Sequence, residues 1–344
     1  MRARPPSPAI LRRSASSGVD RDSRLPHSWY MTIAHAIEET NLPQSADGAG
    51  RLPHMGVLRL TGPDAAAFLQ GQVSNDTAPL SRGAPVLAAY STPQGRVLAV
   101  LHLLPHSSGI LCILPRDVAA STQDRLRKFV LRAKVKIEDA SDELVVAGLY
   151  GNALAAAGFA EAPGPESYLE KDGVGLARVS RVAAPESERY WLIGAADSLR
   201  GLVSPDPARI EREWRLGDIR DGRPQVYAAT SELFVAQMLN LDLIGGISFS
   251  KGCYTGQEII ARTQHLGRIK RRMSRLRLST GAWSIGQSLH LADGRAGRLT
   301  ELASVGDGFE ALAVLSLDPA AADGEAGSAQ AIPAEELALP YRSG

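Results

Sequence analysis

One stretch of the chain concentrates residues able to do chemistry. It reads Lys251-Gly252-Cys253-Tyr254-Thr255-Gly256-Gln257-Glu258 and continues through Ile259 to Arg262. Thr255, with Glu258 three positions later, has capping-box spacing, which predicts a helix from about Gly256 to His265 that stops at Gly267. Cys253 then lies just outside a helix N-terminus. Amide groups and partial positive charge there favour a thiolate, and Lys251 two residues away adds to that effect. Gly252 and Gly256 let the backbone turn tightly or approach a ligand closely. The plain structural alternative is a glycine-rich turn in which Cys253 is a small packed side chain. Cys112 sits inside Ile110-Leu111-Cys112-Ile113-Leu114 and reads as a small hydrophobe.

Around this motif the sequence predicts an α+β fold. Met55 to Leu60 alternates as a strand, and Ala65 to Gln70 is a short helix stopped by Gly71. Val86 to Tyr90 and Arg96 to Leu104 flank Thr92-Pro93-Gln94-Gly95, the pattern of a hairpin. A strand at Ile110 to Leu114, a helix from Asp117 to Arg132, strands at Leu144 to Leu149, Val174 to Val179 and Tyr190 to Ile193, and helices at Arg209 to Gly217 and Phe234 to Leu239 follow. The hairpins make the sheets mainly antiparallel, with flanking helices. From Arg275 onward, short strands bounded by glycines predict a small C-terminal β-barrel. The expected organisation is a disordered leader over 1–50, a two-part body over 51–274, an all-β domain over 275–320 and a Pro- and Ala-rich tail over 321–344. The Arg- and Ser-rich leader reads as an overcalled start, a disordered arm or a targeting segment, with Pro5, Pro6, Pro8 and Pro26 opposing the amphipathic helix that targeting needs.

Composition narrows the function classes. The 344 residues carry 38 basic and 37 acidic side chains, so no global field draws the chain to a polyanion. A basic run, Arg268, Lys270, Arg271, Arg272, Arg275 and Arg277, follows the motif helix. It reads either as a solvated edge or as a contact for an anion, RNA phosphates or the glutamates of a cofactor tail. Two cysteines cannot supply the four thiolates of a cluster or structural zinc site, so no intrinsic metal is expected. With no apolar run of 18 residues, neither a membrane span nor membrane association is expected, and a bacterial cytoplasmic location is.

The motif resembles the K-G-C-Y-x-G-Q-E pattern of the YgfZ family. The resemblance extends through Phe234, Gln237, Asn240-Leu241 and Gly245 to Phe249, and downstream through Ala261-Arg262 and Gly267 to Arg272. Phe68 to Gln72, Asn75-Asp76 and Gly95 to Leu98 match the family's early motifs, so about residues 55 to 320 are covered. Ala236 stands where the family often has proline. The resemblance implies a glycine cleavage T-protein-like folate-binding fold and a role in iron–sulfur cluster assembly or repair, with an indirect effect on tRNA modification. It implies tetrahydrofolate or a derivative as cofactor, and iron–sulfur assembly proteins or client iron–sulfur enzymes as partners, with direct RNA binding as a further option. It also implies Cys253 as the functional thiol. Gln237, Asn240, Lys251, Tyr254, Gln257 and Asp221 are then the folate contacts, while Gly252, Gly256, Thr255, Glu258 and Arg262 shape the motif. The alternative is a tetrahydrofolate-dependent aminomethyltransferase or other one-carbon transferase; a third reading is a folate-responsive scaffold without chemistry. In the related aminomethyltransferase a segment similar to Gly95–Val100 carries an acidic pair, whereas here Arg96 to Val100 has no carboxylate; Arg220 stands where that enzyme has a glutamate.

Overall fold

β1 (Gly48–Arg51) leads into β2 (Met55–Thr61), and α1 (Ala65–Gln70) buries Ala65, Phe68 and Leu69. After a 3₁₀ turn at Ala78–Arg82, the predicted hairpin forms from β3 (Val86–Ser91) and β4 (Val97–His106). β5 (Gly109–Pro115), α2 (Arg116–Arg127) and β6 (Lys136–Asp139) complete a first sheet, antiparallel throughout, in the order β3-β4-β5-β2-β6. Leu58 faces Cys112 in its register, and Cys112 is fully buried, as its apolar strand predicts. α2 ends earlier than its apolar spacing suggested; the chain turns after Lys128, and Leu131 adopts a left-handed φ of 42°. This computed structural model describes residues 48–150, 153–164, 167–179, 188–200, 207–265, 267–318 and 331–341, all within the compact unit Pro43–Gly344. Most of the segment read as a leader lies outside the described residues.

A second antiparallel sheet runs β1-β7-β10-β9-β8, with β7 Leu144–Tyr150, β8 Tyr168–Lys171, β9 Val174–Arg178 and β10 Arg189–Ala195. A short α3 (Ala153–Ala156) and the longer α4 (Pro207–Asp221) flank it. Ile210 and Trp214, one turn apart on α4, are both fully buried. Trp214 presses so closely on β7 that a Cβ at Gly148 would meet its Cε3 at 2.3 Å, which only glycine permits. The first two sheets share a core: Met55, Val57, Leu111 and Ile113 of the first pack with Val146, Trp191 and Ile193 of the second. Burial of such side chains stabilises by about 1.5–3 kcal/mol each.

The third sheet is β12-β13-β14-β11-β15, from β11 (Arg271–Leu278), β12 (Ser288–His290), β13 (Ala296–Val305), β14 (Gly308–Ser316) and β15 (Ala334–Leu337). A register shift between Leu299 and Glu301 marks a bulge. Glu301 is 1% exposed and takes bonds from Arg215 and Tyr227. The expected small barrel is met only by this five-stranded sheet, whose two ends touch through one bridge, Leu291 with Ile332. Part of the segment read as a tail is structured, because β15 pairs with β11 and Leu339 is buried.

Candidate functional site

The motif folds as a loop clamped onto the turn after α1. Ser248 donates its backbone N–H to the Ser74 carbonyl at 3.0 Å, and Thr255 donates its own to that of Gly71 at 3.3 Å. Between them, the Lys251 ammonium donates to the carbonyls of Gln70, Val73 and Asn75 at 2.7, 2.8 and 2.8 Å. An ammonium has three N–H donors, and here all three are used. Burial lowers its pKa to about 8, with Asp76 opposing that shift; the three carbonyls also favour the charged form. The ammonium lies 4.9 Å from the centre of the Tyr254 ring. With the loop pinned at both flanks and in the middle, Phe249, Gly252 and Cys253 are left exposed.

The capping box expected from Thr255 and Glu258 does not form among the described residues. α5 (Gln257–His265) starts two residues after Thr255, because Gly256 takes a left-handed φ of 84°. A Cβ at Gly256 would stand 2.6 Å from the Thr92 carbonyl, so the β3–β4 hairpin dictates that turn. Cys253 therefore precedes the helix by a whole glycine turn. Glu258 and Arg262 are both exposed, and no ion pair joins them among the described residues. The basic run divides likewise. Arg272 forms a bidentate pair with Asp242 at 2.7 Å, and Arg275 and Arg277 converge on the buried Glu310.

A partly open cavity of about 260 Å³ lies nearby, lined by residues from the first two sheets, the end of α4, the turn 243–245 and Tyr341. Trp191 forms one wall. The His102 ring meets it edge-on at 4.4 Å, and the Arg223 guanidinium lies 5.3 Å from its ring centre. Arg223 donates to the Val179 carbonyl and, at 3.3 Å, to His102 Nδ1, which must be unprotonated to accept. The Trp191 indole N–H is buried and has no hydrogen-bond partner among the described residues. Behind the wall, the fully buried Arg189 holds Asp218 at 2.9 Å and Asp221 at 2.5 Å. Burial opposes the charge on Arg189, but the two aspartates outweigh it and raise its pKa. A larger open depression of about 630 Å³ on the third sheet has Arg277, Asp293, Asp307 and Glu335 on its rim and no motif residue. The smaller cavity is the better site, because aromatic, cationic and anionic groups from separate elements converge on it.

Of the six residues assigned to folate from the sequence, only Asp221 lines this cavity. Gln237 and Asn240 are fully buried and tie the backbone: Gln237 Nε2 donates to the Ile260 carbonyl, and Asn240 Nδ2 to that of Met273. Tyr254 is packed in a core cluster with Phe234 and Ile260, and Lys251 is committed to its carbonyls. Gln257 opens α5, half-buried. The lining residues that sequence reasoning passed over are chiefly His102, Arg178, Trp191, Arg223 and Tyr341. A histidine inside an apolar strand and an arginine two residues after Asp221 were the available signals.

The motif loop and the cavity are joined. Asn75 Nδ2 donates at 2.8 Å to both the Leu87 and the Gly245 carbonyls, and Leu87 and Gly245 line the cavity. Ser74 Oγ donates to the Gly246 carbonyl at 2.6 Å.

No family model matches the chain. A protein from Yersinia pestis (strain Pestoides F) named tRNA-modifying protein YgfZ is 33% identical over 221 residues, covering 62% of this chain and 66% of its own length. A protein of the same name from Vibrio atlanticus (strain LGP32) is 33% identical over 223 residues, 63% of this chain and 65% of its own. The chain is thus similar to proteins named tRNA-modifying protein YgfZ. It spans just under two thirds of the length of these YgfZ relatives. Among solved structures, the glycine cleavage system aminomethyltransferase T from Bartonella henselae superposes with a TM-score of 0.62 at 17% identity, covering 80% of both chains. The chain has an aminomethyltransferase T-like fold, the architecture that the resemblance of its motifs implied. No helix among its described residues is long and apolar enough to cross a membrane.

Proposed function

We propose that this chain is a folate-binding protein of the bacterial cytoplasm, acting in iron–sulfur cluster assembly or repair and through it in tRNA modification. The observation that carries the folate reading is the cavity walled by Trp191. Its volume is just below the roughly 300–1,000 Å³ of complete ligand pockets, which suits the flat pterin end of a folate with the tail leading outward. The donor set also fits: an aromatic wall, an indole N–H without a partner among the described residues, and the Asp221 carboxylate as acceptor, while the lining Arg178 and Arg223 already face Glu188 and Asp218. Tetrahydrofolate would carry a one-carbon unit when bound, and the chain's residues would bind and orient it.

One-carbon transfer by the chain itself is disfavoured. Among the described residues Asp221 is the one carboxylate lining the cavity, and Arg189 already holds it. Cys253, exposed on a clamped loop, is the thiol placed to meet a cluster or a client protein; with Cys112 buried, further cluster ligands come from a partner.

Calorimetric titration of tetrahydrofolate into the full chain tests the cofactor reading. Wild type and Cys253→Ala are expected to bind equally, with Trp191→Leu at least about tenfold weaker, as loss of a stacking wall implies. Absence of binding by wild type refutes it. Intact iron–sulfur enzyme activities in cells carrying only Cys253→Ala would refute the thiol's role.

A further inference from the structure

From Ile259 to Ala292 the chain has no carboxylate, yet it carries seven Arg and Lys residues. The fold neutralises three of them through Asp242 and Glu310, as described above. Arg262, Arg268, Lys270 and Arg271 have no carboxylate within salt-bridge distance among the described residues; the first three are exposed and Arg271 is half-buried. Arg96 extends the face: it is exposed, its guanidinium donates to the Leu233 carbonyl with no carboxylate in salt-bridge distance among the described residues, and it follows Gly95, which packs on Ile259 one turn before Arg262. We propose that this face, from Arg96 across the end of α5 to Arg271, is a docking surface for the phosphate backbone of RNA.

The arrangement favours RNA over the other anions. None of these five cations lines the cavity proposed for folate. A protein partner generally needs an apolar anchor. Of the exposed large apolar residues, Leu317 is tied to the run through its bond to the Lys270 carbonyl, and Leu233 through its bond to Arg96. Uncompensated cations with few apolar anchors match backbone-phosphate binding, which is chiefly electrostatic. The surface does not depend on the folate reading.

The test is fluorescence anisotropy of the full chain with an unmodified tRNA transcript at low and moderate salt. Wild type is expected to bind with strong salt dependence. The variant R268E/K270E/R271E should bind at least about tenfold more weakly, with a salt slope lower by about 2 to 3. Its circular dichroism and urea midpoint should match wild type, since all three side chains point to solvent or its margin. The proposal is overturned if wild type does not bind RNA at low salt or if the folded variant binds equally well. It is also overturned if the variant loses only a preference for polyglutamyl over monoglutamyl tetrahydrofolate.

Discussion

Lys251 and Asn75 join the cysteine loop to the cavity wall: the Lys251 ammonium donates to the Asn75 carbonyl at 2.8 Å, and the Asn75 side chain donates to Gly245 at the cavity's edge. The lysine two residues before the cysteine thus spends its three donors on holding the loop against the turn after α1. Lys251→Met leaves three carbonyls without their donor and should cost about 1–3 kcal/mol, read as a lower urea midpoint. Lys251→Arg should not restore it, because a planar guanidinium cannot converge on three oxygens as an ammonium does. A midpoint unchanged in Lys251→Met would show that the clamp contributes nothing.

The two thiols should separate cleanly. Cys253 is exposed, whereas Cys112 is fully buried and burial pushes its pKa up to about 12. Native protein should release one equivalent of thiol to an alkylating or disulfide reagent, and Cys253→Ala none until it unfolds. Rapid reaction of two thiols in native protein would contradict the placement of Cys112.

The glycines of the motif should differ as sharply. Gly256→Ala forces a side chain into a left-handed turn and against the Thr92 carbonyl, and should cost at least about 2 kcal/mol. At Gly252 an added Cβ meets nothing within 4 Å, so Gly252→Ala should stay within about 0.5 kcal/mol of wild type. If Gly252→Ala nevertheless abolishes function in cells, the glycine is needed for access to Cys253. Equal destabilisation by the two would contradict the loop geometry.

Stability should fall on the acid side through a buried network at the base of α4. His54 lies 3.1 Å from Glu211, which also binds Arg215. Burial lowers the His54 pKa below its ordinary 6.5, with the Arg215 charge assisting. Burial raises that of Glu211, but bonds and charge from His54 and Arg215 bring it down to about 2. Both folded-state values lie below the unfolded ones, so the unfolded chain takes up protons first. Stability present at neutral pH should be lost from about pH 6.5 through His54, then from 4.5 towards 2 through Glu211. Urea midpoints across this range should fall less steeply below pH 5 in Glu211→Gln than in wild type; parallel curves would refute the assignment.

Much of this was legible in the residues. The 92–95 turn fixed the β3–β4 hairpin, because proline and glycine there leave few backbone choices. The apolar run around Cys112 placed it in the core. Two features depend on tertiary structure. Thr255 does not cap α5, because the hairpin carbonyl at Thr92 occupies the space and forces Gly256 left-handed. Tyr254, Gln237 and Asn240 carry groups suited to a ligand, yet Tyr254 packs in the core and the side-chain N–H donors of Gln237 and Asn240 go to the backbone of α5 and β11.

The sequence by itself determined the periodicities of the strands, the family motif and the identity of the exposed thiol's loop, all of them properties of neighbours along the chain. The cavity was decided only by the tertiary structure. Its walls come from β3, β4, β9, β10, the end of α4, the turn at 243–245 and Tyr341, positions up to 256 residues apart in sequence. Which arginines stay uncompensated was decided the same way, because Asp242 and Glu310 reach their partners only through packing of the third sheet. Local preference is read from adjacent residues; convergence and neutralisation depend on distances that only the folded chain sets.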